Sequence, residues 1–293
     1  MSAGINPVDT YIRQGVYAIK PPLPYIPGKD AAGIVEAIGP RVTAVKEGDR
    51  VFVHRDVVNG AYAEYCLAME DCVIPLPTRL SFSQGAAIGV PYFTAYRALI
   101  QKCKAKPGRS VLVHGASGAV GLAVVQFARA HGLRVFGTAG STDGMALVKK
   151  TGAHEVLNHK IPNYCNKLME LSGSEGFDYI IEMLGNVNLG RDLSLLRQNG
   201  CIAVVGSRGT IEINPRLIMQ TEASIIGVNL RSSTDTEWNE MRNAILSGLE
   251  QGWLDPIVDK EYPLEKVVEA HKDVINSVTG ARGKLVLSLA SQC

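Results

Sequence analysis

A chain that reads Val111-Leu-Val113 and then meets Gly115, Gly118 and Gly121 before an apolar segment of helical period has few ways to fold. An apolar strand breaking on glycines into a helix leaves several backbone N–H groups unpaired at the turn. The helix dipole adds partial positive charge at the same place, so the turn suits a pyrophosphate. The spacing in Val111–Arg129 is G-x-x-G-x-x-G rather than the commoner G-x-G-x-x-G. Its context supplies the specificity: a strand before, a helix after, and a second strand at 134–138. A tight strand-helix turn with no ligand is the bland alternative.

The next strand end carries the coenzyme signal. A dinucleotide fold that prefers NAD usually places Asp or Glu roughly 20 residues beyond the glycine turn, on the ribose 2′-hydroxyl. Here the place reads Gly137-Thr-Ala-Gly-Ser-Thr142, with no acid before Asp143. A carboxylate would repel a 2′-phosphate, whereas small residues and the hydroxyls of Thr138 and Ser141 leave room for one, so the pattern predicts NADP(H). Lys149 and Lys150 lie too far along the following helix to neutralise that phosphate; His159 and Arg208 are better placed.

Length and composition fit a two-domain enzyme. The 293 residues suggest about two domains. A net charge of +2 gives no sign of the large basic face of a nucleic-acid binder. No apolar run reaches the ~18 uncharged residues of a membrane span, and the start, Met1-Ser-Ala-Gly-Ile5, lacks the features of a secretory signal. Cys66, Cys72, Cys103, Cys165, Cys201 and Cys293 form no C-x-x-C pair and read as reduced thiols of a cytoplasmic protein.

Organisation changes twice along the chain. Residues 1–85 are rich in Pro and Gly, with strand-like runs at 32–38, 50–54 and 61–67, as in a small β-rich domain. Residues 86–231 alternate strands (111–114, 134–138, 155–157, 178–183, 200–206, 223–230) with helices (91–103, 118–131, 142–151, 163–172, 187–197). Such alternation predicts right-handed βαβ units and a doubly wound parallel sheet. Residues 232–293 hold a helix at 235–251, a strand after Pro256, a helix at 264–277 and a last strand at 284–289, and are expected to return to the first domain.

These segments together resemble the medium-chain dehydrogenase/reductase superfamily and, within it, the quinone oxidoreductases of the zeta-crystallin type. The carrying residues are Gly4–Arg13 (Gly-Ile-Asn-Pro-Val-Asp-Thr-Tyr-Ile-Arg), Pro27–Glu36, Gly48–Val51, Gly85–Tyr96, His114–Gly118 and Val205–Pro215. The resemblance implies an α/β architecture: a Rossmann NADP-binding domain plus a GroES-like β-rich catalytic domain. Relatives open with roughly forty further residues that supply the first strands of the catalytic domain. The resemblance therefore reads that domain as N-terminally incomplete, with open sheet edges and a thinner core.

Zinc-dependent relatives place Cys, His and Cys around a catalytic metal, and the corresponding places here read Asn6, Lys29 and Val90. Neither Asn nor Val suits zinc and an ammonium repels it, so no metal is expected. The acceptor implied is a quinone or, alternatively, the C=C of an unsaturated ketone. The resemblance assigns Ser117, Gly118, Ala119 and Val120 to the pyrophosphate, and Gly140 and His159 to the adenosine. Asn188, Val205, Gly206, Ser207, Arg208, Val228, Asn229 and Leu230 fall along the nicotinamide half. Tyr11 would close over the nicotinamide, and Asn6 and Tyr11 would serve the acceptor oxygen.

Other residues keep two readings: His114 as core or function, Tyr92 and Tyr96 as core or substrate contact, Glu182 as a functional or helix-capping carboxylate. His54, His131, His154 and His271 show no pairing pattern. By resemblance alone the chain would assemble as a homo-dimer or tetramer through its sixth strand. A non-catalytic NADPH-binding role, as a lens structural protein or a binder of AU-rich RNA, also follows only from the resemblance. No Ser/His/Asp set or carboxylate pair supports hydrolysis.

Overall fold

A computed structural model describes residues 1–18, 20–55, 57–276 and 280–289. In chain order its strands and helices begin β1 (Ser2–Ile5), α1 (Pro7–Arg13), β2 (Asp30–Ile34), β3 (Arg50–Val53), β4 (Val73–Pro75), α2 (Phe82–Gly85) and α3 (Gly89–Tyr96). They continue as β5 (Ser110–Val113), α4 (Ala119–Ala130), β6 (Arg134–Ala139), α5 (Thr142–Thr151), β7 (Glu155–Asn158) and α6 (Tyr164–Leu171). Next come β8 (Phe177–Glu182), α7 (Gly185–Asp192), β9 (Leu196–Val204), α8 (Pro215–Thr221), β10 (Ser224–Gly227) and α9 (Asp235–Gln251). The last are β11 (Val258–Pro263), α10 (Val267–Asn276) and β12 (Lys284–Ser288).

Two compact units result, one formed by 1–91 with 255–293 and the other by the contiguous 92–254. The first contains a six-stranded sheet in the order β11-β12-β1-β2-β3-β4. The chain's first strand lies in its interior, antiparallel to both β12 and β2, with Ser2 opposite Ser288 and Ala32. Alternate residues of these short strands bury Ala3, Ile5, Ala31, Val53 and Leu287 in one core with Tyr62 and Tyr262.

The second unit is an all-parallel sheet in the order β10-β9-β8-β5-β6-β7. β5 and β8 are buried on both faces, as parallel strands covered by helices require: Val111, Leu112, Val113, Ile180 and Ile181 are fully buried. Strand order reverses at β5, and the chain leaves β5 and β8 toward opposite sides of the sheet, to β6 and to β9. This is the place where open α/β sheets bind ligands.

Differences from the sequence expectation have identifiable causes. Residues 61–67 form no strand, because burial stops at Tyr62: Tyr65 and Leu67 are 72% and 59% exposed, and no strand face there meets a core. The backbone of Ala61 and Tyr62 instead bonds to the Pro27 carbonyl. The helix expected at 91–103 starts at Gly89, leaves α geometry after Tyr96 and continues as a π-helical turn, Arg97–Lys102. The helix expected at 187–197 is α7, ending at Asp192. The sixth strand, expected at 223–230, is confined to Ser224–Gly227. α8 was unforeseen, although Asn214 accepting from the Arg216 N–H and Pro215 at the first helical position form a start signal.

The compact units divide at 91 and 254, whereas the sequence pattern places boundaries at 85 and 231. Helix α9 stays with the parallel-sheet unit because Trp238 packs on Phe93 and Glu237 pairs with the buried Arg97 at 3.1 Å. Ser277, at the end of the expected 264–277 helix, lies outside the described residues.

Candidate functional site

The glycine turn is built as the spacing predicts. Gly115 takes a left-handed φ of +58°, its N–H reaches Thr138 Oγ1 at 3.3 Å, and the Ala116 N–H bonds the Thr138 carbonyl at 2.8 Å. A Cβ on Gly121 would lie 2.6 Å from Ala116 Cα and the Gly115 carbonyl, so α4 sits directly against the turn. No side chain caps α4: its N-cap is Gly118, with Ser117 nearly buried just before it. Gly118, Ala119 and Val120 are half-buried and open the helix. An uncapped first turn at the end of a central parallel strand is what an anionic pyrophosphate fits.

The end of β6 supplies the second contact. Ser141 caps α5 by accepting from the Gly144 N–H at 3.2 Å. A Cβ at Gly140 would lie 2.9 Å from His159 Nε2 and 3.2 Å from Lys160 Cε, so the loop after β7 does return to this edge. Lys160 was missing from the sequence reading; its position just past the third strand was the available signal. Both residues line a cleft of about 660 Å³ with Tyr164 and Arg191. Burial, and then the positive charges of His114 and Lys160, lower the pKa of His159. Lys149 is committed elsewhere, to the His154 carbonyl and to Glu155 at 4.0 Å.

At the other side of the switch point the start of α7 clasps the loop after β9. Gly185 donates to the Gly206 carbonyl at 2.8 Å, and Val205 to the Glu182 carbonyl at 2.8 Å. Asn186 Oδ1 accepts from the Arg208 N–H at 2.8 Å and lies 3.4 Å from Ser207 Oγ. Asn188 donates to Glu182 Oε1 at 3.2 Å. Beyond β10 the Val228 N–H still bonds the Val204 carbonyl at 2.9 Å, and Asn229 caps a single 3₁₀ turn that begins at Leu230. The residues expected at the cofactor from 117–120, 140, 159, 188, 205–208 and 228–230 therefore share one unit and follow the carboxyl ends of its strands.

His114 and Glu182 acquire a common explanation. His114 is 2% exposed, with Nε2 2.9 Å from Asp192 Oδ1 and 3.9 Å from Glu182 Oε2. Glu182 also accepts from the Leu184 N–H, so it caps α7 as one of its two readings proposed. Tyr92 takes the packing reading, 2% exposed with its hydroxyl on Gln126 Oε1 at 3.1 Å. Tyr96 donates to Glu240 Oε1 at 2.9 Å and lies edge-on to Phe127.

The first unit carries Asn6 and Tyr11. Tyr11 is half-buried on α1. Asn6 is 3% exposed: Nδ2 donates to Asp30 Oδ2 at 2.9 Å, and Oδ1 accepts from Lys284 Nζ at 2.5 Å. Asp30 Oδ1 takes the Val90 N–H at 2.7 Å, and Lys284 Nζ lies 2.7 Å from Asp30 Oδ2. Two of the three positions that hold zinc in zinc-dependent relatives are thus gathered around a carboxylate already neutralised by a buried ammonium. An amide, a valine and an ammonium do not fit zinc.

Comparison with known proteins agrees with this geometry. Residues 1–78 match the family described as alcohol dehydrogenase GroES-like domain, and 119–247 the family described as zinc-binding dehydrogenase. The human protein named quinone oxidoreductase is 56% identical over 288 residues, covering 98% of this chain and 87% of that protein. The quinone oxidoreductase of Thermus thermophilus, solved alone and with NADPH, superposes with a TM-score of 0.83 at 29% identity, covering 98% of this chain and 88% of that one. A solved NAD-dependent alcohol dehydrogenase gives a TM-score of 0.90 at 29% identity, covering 99% of this chain and 90% of that one. The chain belongs to the medium-chain dehydrogenase/reductase superfamily and, within it, to the zeta-crystallin-type quinone oxidoreductases.

Proposed function

We propose that this protein is an NADPH:quinone oxidoreductase that works without zinc. The observation that carries the coenzyme choice is the acid-free end of β6 at Gly140, with His159 and Lys160 against it. Bound NADPH supplies hydride chemistry; the chain supplies position, exclusion of water and hydrogen bonds. The N–H groups of Ser117, Ala119 and Val120 hold the pyrophosphate, and Gly118, whose own N–H bonds the Gly115 carbonyl at 3.1 Å, lets it approach the backbone. Gly140 leaves room for the adenosine ribose, His159 borders it, and Lys160 offers the cation for a 2′-phosphate. Asn188, Val205 to Arg208, and Val228 to Leu230 line the nicotinamide half.

Tyr11 and the remaining N–H of Asn6 serve the acceptor quinone, polarising the oxygen that gains electron density. No step passes through zinc, because the Lys284 ammonium already neutralises Asp30 where a metal would need ligands. We further propose a cytoplasmic homo-oligomer joined along the outer edge of β10, which pairs on its other side with β9. Among the described residues no helix is long and apolar enough to cross a membrane.

Steady-state oxidation of NADPH and NADH with ortho- and para-quinones, beside metal analysis of the purified protein, tests the reading. Turnover with NADPH and no stoichiometric zinc supports it. Zinc lost together with activity, or no turnover with any quinone, overturns it.

A further inference from the structure

Beneath the rim of the parallel-sheet unit lie three ionisable side chains that the reading above does not use. His114, Glu182 and Asp192 are 2%, 0% and 0% exposed. They come from different elements, the end of β5, the end of β8 and the last turn of α7, yet one ligand atom from each lies within 4.8 Å of the others. Their outer contacts lead to the rim. His114 Nδ1 is 3.3 Å from Thr138 Oγ1, and the same oxygen accepts from the Gly115 N–H at 3.3 Å. Glu182 Oε1 accepts from the Leu184 N–H and from Asn188 Nδ2 at 3.2 Å. One buried polar cluster therefore touches both the glycine turn and the first turn of α7, which carries Asn188.

Burial makes its protonation part of its structure. Glu182 Oε2 and Asp192 Oδ2 are sealed from water without a hydrogen-bond partner. Two charged carboxylates so placed would be very costly, and a proton held between them removes the cost. An imidazolium at His114, with Nε2 2.9 Å from Asp192 Oδ1, would balance the single remaining negative charge.

We propose that His114, Glu182 and Asp192 act as positioning residues for the dinucleotide, a charge-neutral network that fixes the glycine turn and the first turn of α7 in their binding conformation. The inference rests on the reading of this rim as the NADPH site. Loss of the shared proton leaves net negative charge under the turn that must accept an anion, and frees two carboxylates to repel.

The surrounding charges agree with this picture. Glu182 is pushed up to about 7, by burial first and by Asp192 as well, against the opposing pull of His114. Burial opposes charge on His114, but the contacts with Asp192 and Glu182 outweigh it and raise its pKa. Arg191 on α7 and His159 beyond β7 are the other charged or titratable groups felt at His114.

Calorimetric titration of the full chain with NADPH from pH 6 to pH 9 tests the proposal, using wild type, Glu182→Gln and Glu182→Ala. Gln reproduces a protonated Glu: it accepts from Leu184 and donates to Asp192 at every pH. The wild-type dissociation constant is expected to rise at least ~10-fold more than that of Glu182→Gln across this range. The cofactor's own titration is common to both and cancels in the comparison. Glu182→Ala should bind at least ~10-fold more weakly than Glu182→Gln at pH 7, with far-UV circular dichroism showing whether it folds.

Parallel pH curves for wild type and Glu182→Gln would overturn the network, as would one bound divalent metal ion lost on Glu182→Gln substitution. The Glu182→Gln arm decides even if Glu182→Ala does not fold. Wild type failing to bind NADPH at pH 6 would instead sink the cofactor reading and the network with it.

Discussion

Lys284 Nζ stands 2.7 Å from Asp30 Oδ2 with both side chains at most 2% exposed, joining the last strand to the second around the amide of Asn6. A buried pair of this kind is costly to break from one side, because the partner keeps its charge without water. Lys284→Met should destabilise the chain by about 3–5 kcal/mol in chemical denaturation. Adding Asp30→Asn should recover part of that loss, and strict additivity of the two changes would refute the pairing.

The metal argument gives a separate expectation. Chelators should leave both the thermal transition and quinone turnover unchanged, as expected where Asn6, Lys29 and Val90 offer zinc no ligands. A lowered transition temperature after chelation, restored by zinc, would contradict it.

Coenzyme preference should follow Gly140. NADPH is expected to bind at least ~10-fold more tightly than NADH, on the order of 1.4 kcal/mol. Gly140→Asp should erase most of this preference by weakening NADPH alone, because the new carboxylate repels the 2′-phosphate and pairs with Lys160. The imidazole of His159, 2.9 Å from the new Cβ, must swing aside. Lys160→Ala should move the preference in the same direction. Fluorescence titration with both coenzymes measures it, and equal affinity in the unmodified protein would contradict the assignment.

Two glycines of one turn should fail differently. Gly118 has φ −77° and ψ 168°, a conformation open to any residue, so Gly118→Val should fold and lose cofactor affinity by several-fold or more. Gly121→Ala puts a methyl 2.6 Å from backbone atoms of Gly115 and Ala116. It should lower stability by about 1–3 kcal/mol as α4 is forced off the turn. Thermal melts set beside NADPH titrations separate the two effects.

Asp9 provides a pH signature in the other unit. It accepts from the Asn6 N–H at 2.8 Å and the Tyr62 hydroxyl at 3.2 Å, and its pKa rises to about 6 because burial disfavours the charged form. A raised carboxyl pKa stabilises the fold fully below about pH 4, and that contribution disappears as pH rises through about 6. Asp9→Asn keeps the accepting oxygen and does not titrate. Relative to this variant, wild type should lose roughly 3 kcal/mol between pH 4 and pH 7, read by denaturation at each pH. A constant difference between the two proteins would refute the shift.

Much of this molecule is written in local sequence. The strand, the glycines and the helix of 111–130 lie within one turn of each other, so their spacing suffices to place the cradle. The missing acid at Gly140 is equally local. What escaped was tertiary. Lys284 opens an apolar strand and looks like a surface terminus until its ammonium is found on Asp30, 254 positions away. Asp192 was invisible because an acid ending a short helix is ordinary until β5 and β8 bring His114 and Glu182 to it. Lys160 escaped for a milder reason: its relevance depends on how the loop after β7 folds back toward Gly140. The run 61–67 failed in the opposite sense, carrying strand-like residues that no core receives.

The antiparallel ladder between β1 and β12 bears on how the chain is made. Ser2 must wait for Ser288 before the interior of its sheet is complete, while 92–254 is contiguous and contains all the partners of its own sheet. During synthesis the parallel-sheet unit can therefore close while β1, already able to pair with β2, keeps its other edge open until β12 leaves the ribosome. Such long-range pairing is slow and leaves apolar edges exposed in the interval. The step most sensitive to temperature and chaperone supply should be the return of the C-terminal strand.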